Sequence, residues 1–192
     1  MLNNHECQIG QTIYINSKRP GAISDFADSL RSLLNTRLSS GRELVLLCIG
    51  TDRITGDSLG PIIGHNLLKS RVLGKRAEGS PLIYGTLENP VHAKNLSSML
   101  KDIYSWHNKP LIVAVDASLG RPQSVGFITI GAGALKPGAG IKNDLPDVGD
   151  VYVTGIVNSS GESNLATLQN TRLSLVVRLA DVITKGFVRA LR

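Results

Sequence analysis

Apolar residues recur along this chain in two rhythms. Between Gly21 and Leu38, the residues Ile23, Phe26, Ala27, Leu30, Leu33 and Leu34 fall three and four apart. That spacing gives one apolar stripe and predicts a helix, which Ser39, Ser40 and Gly41 end. Leu44–Ile49 and Pro110–Asp116 are different: they are near-continuous apolar runs with little alternation. Such runs predict strands buried on both faces, as in a parallel sheet covered by helices.

The same reading extends to the remaining segments. Ser58–Ser70 predicts a second helix with Leu59, Ile62, Ile63 and Leu67 inward. Pro61 is tolerated there, because first-turn amides have no helical partner to lose. Pro81–Gly85 predicts a short strand, and Val91–Trp106 a helix with Leu96, Met99, Leu100 and Ile103 on its stripe. Gly126–Ile130 and Val151–Val157 predict two more strands. A last helix is expected over Ser163–Leu191, and Gln8–Ile15 is expected to form an edge strand with Ile9, Ile13 and Ile15 on one face. Strands and helices in alternation predict an α/β fold: a three-layer α/β/α sandwich around a mostly parallel sheet. A length of 192 residues fits one domain, with a strand-and-helix extension (1–42) ahead of the core (43–192).

Composition narrows the picture. Aromatics make up only 4%, so the core must be built from Leu, Ile, Val and Ala. The net charge of +6 fits a solvated basic face or acidic partners. There is no run of five Lys or Arg and no aromatic-plus-basic stretch, so nucleic acid is not the expected partner. Cys7 and Cys48 form no CxxC motif and no disulfide framework, and Cys48 is expected in the core. No apolar stretch is long enough to span a bilayer, and MLNNHECQIG lacks the pattern of a secretory signal. The expected location is therefore the cytoplasm, and the expected assembly a homodimer.

Candidate chemistry gathers in CIGTDRITGDSLGP, Cys48–Pro61. The loop is glycine-spaced and opens a helix, yet it matches neither a P-loop nor GxGxxG. Its Asp52 and Asp57 would repel a phosphate. Asp57 precedes the second helix, where an N-cap explains it as well as catalysis does. Asp116 closes the second buried strand, where a turn cap explains it equally. Both acids, however, sit at carboxyl ends of predicted parallel strands, where open sheets collect ligands. Facing carboxylates cannot both ionise easily, so one can serve as acid and the other as base. The same pair could hold a divalent metal if a third ligand joined it. His65 and His92 fall on predicted helices, His107 at a helix end, and no histidine follows. Neither metal nor cofactor is therefore expected. Ser118 is not in a GxSxG elbow. The glycine-rich segment Gly131–Asp150 is too long for a simple turn and reads as functional.

At these residues the chain resembles a known group. GTDRITGDSLGP, IVAVDASLGR and ITIGAGALKPGAGIKN look like the corresponding segments of the spore germination protease, an aspartic-type endopeptidase of small acid-soluble spore proteins. Over most of its length the chain is similar to the shorter sporulation family called YyaC. The resemblance implies a phosphorylase/hydrolase-like α/β/α fold, shared with hydrogenase maturation proteases. It places Asp57 and Asp116 on the protease's two essential aspartates. In the hydrogenase proteases these positions hold acidic metal ligands completed by a later histidine, which this chain lacks. The protease pattern has Asn where Thr51 stands, Pro where Gly56 stands and His where Lys136 stands.

The expected function is thus a sporulation-associated peptidase with Asp57 and Asp116 as its catalytic pair. Thr51, Asp52, Lys136, Gly138 and Gly140 are the expected substrate-binding positions. The expected partner is a protein or peptide substrate, small acid-soluble spore proteins among them. Two alternatives stand beside it: a metal-assisted maturation-type protease, and a non-enzymatic protein that binds a sporulation partner.

Overall fold

The computed structural model describes residues 12–37, 42–70, 80–138, 145–161 and 163–192. Six described strands form one sheet: β1 (Ile13–Asn16), β2 (Leu44–Cys48), β3 (Leu82–Tyr84), β4 (Leu111–Gly120), β5 (Phe127–Ala132) and β6 (Val151–Ser159). Their order across the sheet is β1-β5-β6-β4-β2-β3. The pairs β3–β2, β2–β4 and β4–β6 are parallel, whereas β5 runs antiparallel to both β6 and β1. The protein is a mixed α/β molecule with a mostly parallel sheet. The reversal of β5 departs from strict alternation for a simple reason. Only six residues, 121–126, join β4 to β5, too few for the helical crossover that parallel strands need.

Alternation along β2 splits the core in two. Leu44, Leu46 and Cys48 join a cluster built with α1 (Ala22–Asn35), α2 (Leu59–Lys69) and α5 (Leu173–Ala190). Val45, Leu47 and Ile49 join a second cluster with Leu96, Leu100 and Ile103 of α3 (Leu96–Trp106). All five β2 positions are buried, so each strand side chain meets apolar matter on one face or the other. Phe26 of α1 and Phe187 of α5 meet edge to face with centroids 5.4 Å apart, the one aromatic pair within the larger described cluster.

Two expected helices are redrawn. The last helix is broken into α4 (Asn164–Gln169) and α5. The break sits where Thr171 is buried, with the Asn158 amide of β6 donating to the Thr167 carbonyl (3.1 Å) and to Thr171 Oγ1 (3.3 Å). Ser163 caps α4 by accepting from the Ala166 amide. Helix α3 begins five residues later than its apolar stripe suggested, because Val91 is taken by a parallel bridge to Ile49. The Asn95 side chain then fixes the turn ahead of it, accepting from the His92 amide and donating to the Pro90 carbonyl. The edge strand is described from Ile13. Ile13 and Ile15 share the larger cluster, and Ile9 lies outside the described residues.

Candidate functional site

Strand β2 is followed in the chain by β3 on one side of it, and β4 by β5 and β6 on the other. The carboxyl ends of β2 and β4 are therefore a topological switch point, where an open sheet leaves a crevice. Both candidate acids stand there. β2 accompanies β4 up to Val115, whose carbonyl accepts from the Ile49 amide at 2.7 Å. Asp116 is the first β4 residue past that neighbour. It does not close its strand as expected: β4 continues to Gly120 alongside β6, with Asp116 in register with Thr154. The continued pairing with β6 holds Asp116 in extended backbone, so its side chain shares a face with Ile112 and Ala114.

Asp57 lies in a short 3-10 turn, Thr55–Ser58, ahead of α2. Its carboxylate does not cap the helix. It accepts instead from the Thr51 amide at 3.0 Å, and the same amide donates to the Asp57 carbonyl at 3.1 Å. Ser58 occupies the position before α2 without a side-chain cap bond. Gly50 makes this loop possible. It has φ +136°, and a side chain there would collide with the Asp57 carbonyl oxygen.

The electrostatics couple the two acids. Burial pushes the Asp57 carboxyl up to about 6, against the opposing bond from Thr51. Asp116, 7% exposed, is held well above the usual carboxylate range, by burial first and by the charge of Asp57 second. The Ala117 amide donates to its Oδ1 at 2.7 Å. The nearby Gly138 backbone acts in the same lowering direction, and neither effect cancels the rise.

The expected substrate-binding positions fall at different distances from the pair. Gly138, with φ +69°, reaches the site through its backbone. Leu135 bridges Val148 across the same segment and packs on the α3 face of the sheet, which brings the chain back over β4. Thr51 meets Asp57 through its amide. Asp52 is exposed and makes none of the bonds that hold the pair. Lys136 is exposed two residues before Gly138. Gly140 lies outside the described residues.

Two of the described histidines, His65 and His107, are engaged elsewhere. His65 Nδ1 pairs with Glu88 at 3.0 Å; His107 lies between Glu43 (3.0 Å) and the Tyr84 hydroxyl (2.7 Å). His92 precedes α3 rather than lying on it. Among the described residues, no three His, Cys, Asp or Glu side chains gather as a metal site. Cys48 is fully buried and its thiol is pushed up to about 12, so it has no nucleophilic part here. Sequence reasoning assigned Thr154 no role and weighed Ser118 only as a nucleophile. Their signal was a hydroxyl two residues past Asp116 and a threonine within the otherwise apolar run Val151–Val157, which needs the register of β4 against β6 to acquire meaning.

The fold and site together define an α/β protein with one buried and one half-buried carboxyl, electrostatically coupled, beyond the carboxyl ends of parallel strands. Residues 14–186 match the family described as "Protein of unknown function (DUF1256)", and the chain belongs to that family. It is 46% identical over 162 residues to "Uncharacterized protein YyaC" of Bacillus subtilis (strain 168), covering 83% of this chain and 76% of that protein. No described helix is long and apolar enough to cross a membrane.

Proposed function

We propose that this chain is a peptide-bond hydrolase in which Asp57 and Asp116 share one proton. The observation that carries the reading is their coupling: burial raises both carboxyls and the Asp57 charge bears on Asp116, so the pair favours holding one proton between them. Ionised Asp57 takes a proton from water, whose oxygen attacks the scissile carbonyl carbon. Asp116 gives its proton to the departing amine nitrogen as the carbon–nitrogen bond breaks. Asp57 then returns the proton it gained to Asp116, and the pair is reset.

Helices on both faces of the sheet support the three-layer α/β/α, phosphorylase/hydrolase-like assignment. The resemblance to the spore germination protease supports a sporulation role and a cytoplasmic site of action. Exposed Arg53 and Lys136 flank the pair in sequence and suit an acidic protein chain, such as a small acid-soluble spore protein.

The test is cleavage of a small acid-soluble spore protein by wild type, Asp57→Asn and Asp116→Asn, each with and without chelator. We expect cutting by wild type in both conditions and none by either folded variant. Cutting that survives both substitutions removes the mechanism; cutting that chelator abolishes moves the pair to a metal-binding role.

A further inference from the structure

Beside Asp116 lies a set of hydroxyls that the reaction above does not use. Thr154 of β6 is in register with Asp116, and Thr129 of β5 is in register with Thr154. Residues in register across a sheet project to the same face, and so does Ser118, two residues beyond Asp116. The three hydroxyls are bonded together. Ser118 Oγ donates to Thr154 Oγ1 at 3.1 Å and to the Gly155 carbonyl at 3.4 Å. Thr154 and Thr129 share one proton across 2.6 Å. Tyr152 borders the set on the side towards the start of β6. Its ring packs where a Gly131 side chain would stand, and its hydroxyl bonds Thr12 Oγ1 at 2.5 Å.

Counting protons shows what this set offers. Three hydroxyls carry three protons. Ser118 spends its own, and the Thr154–Thr129 bond spends one. The third, on Thr154 or Thr129, has no acceptor among the described residues. A hydroxyl proton fixed beside a carboxyl pair is a donor awaiting an acceptor oxygen.

We infer that Ser118, Thr154 and Thr129 form a donor subsite for a carbonyl oxygen of an extended peptide bound across Asp116. Neighbouring strands are about 4.8 Å apart and an extended chain advances about 3.3 Å per residue, so the carbonyl lies one or two residues from the scissile bond. The inference names a subsite of the proposed peptidase and rests on that reading for its role. The three are positioning residues, since none touches the bond that breaks.

The test separates the two ideas. The Asp57→Asn, Asp116→Asn double variant serves as an uncut trap, titrated calorimetrically with a short acidic peptide carrying Glu and Gln. Thr154→Val in the trap should weaken binding about tenfold, the worth of one hydrogen bond, and Thr154→Ser should restore it. Thr129→Val is the second variant, should Thr154→Val fail to fold. A peptide with Ala for Glu and Gln distinguishes the source of the oxygen: a persistent tenfold effect assigns a backbone carbonyl, and loss of the effect a side-chain one. In the active enzyme, Thr154→Val should raise KM and leave kcat within about twofold. A trap that binds equally with Thr or Val at 154, or that binds no peptide, overturns the subsite. Wild type that cuts nothing while its trap binds through Thr154 overturns the peptidase and leaves the subsite standing.

Discussion

The charge on Asp57 raises the proton affinity of Asp116, a β4 residue 59 positions further along the chain. The two side chains come from different loops and strands, yet the charge of one bears on the other. Activity that needs one proton on the pair should follow a bell-shaped pH profile of kcat/KM. The rising limb should centre near the Asp57 value of about 6, and the falling limb should appear where Asp116 loses its proton. A cleavage assay between pH 4 and 9 checks this. A flat profile would sink the shared-proton mechanism.

The same shifts set a stability trend. Asp57 binds its proton more tightly folded than unfolded, so the protonated form favours the fold. That contribution is present in full below the unfolded value near 3.8 and is lost as pH rises through about 6. Asp57→Asn removes the loss. It should stabilise the protein at pH 7 by up to ~3 kcal/mol, with little change at pH 4. Thermal melts of wild type and variant at both pH values measure it. A variant less stable than wild type at pH 7 would show that the carboxylate is stabilising where it stands.

Gly50 should not tolerate a side chain. Alanine there meets the Asp57 carbonyl oxygen and must adopt a φ near +136°. Gly50→Ala should cost on the order of 1–3 kcal/mol and displace Asp57 enough to reduce cleavage well before the fold is lost. Urea denaturation beside a cleavage assay separates the two effects. Full activity at wild-type stability would refute the clamp.

His107 should matter to the fold and not to the chemistry. It bonds Glu43 and the Tyr84 hydroxyl on β3, and Tyr84 stacks on Trp106 with centroids 6.5 Å apart. His107→Ala should cost about 1–3 kcal/mol, since it strips a partner from a half-buried hydroxyl. Turnover per folded molecule should stay at the wild-type level. A large fall in kcat with stability intact would place this trio in the reaction.

Much of the architecture is legible in the chain because burial writes itself into composition. A strand covered on both faces must be apolar at every position, and Leu44–Cys48 and Leu111–Val115 are. A helix resting on a sheet must carry a stripe, and α1, α3 and α5 do. Asp116 stands out for the converse reason, as an acid directly after an apolar run, and Asp57 as an acid in the glycine-spaced loop that opens a helix. Tertiary structure decided the rest. A short link reversed β5. Thr171, bonded by Asn158, broke the last helix. Pairing with β6 carried β4 past Asp116 to Gly120. Whether Asp57 capped a helix or faced Asp116 depended on which amide its oxygen met, and Thr51, six residues back, supplied it. Periodicity records how much of a side chain is buried. Register and hydrogen-bond choice depend on neighbours distant in the chain, so only the folded molecule fixes them.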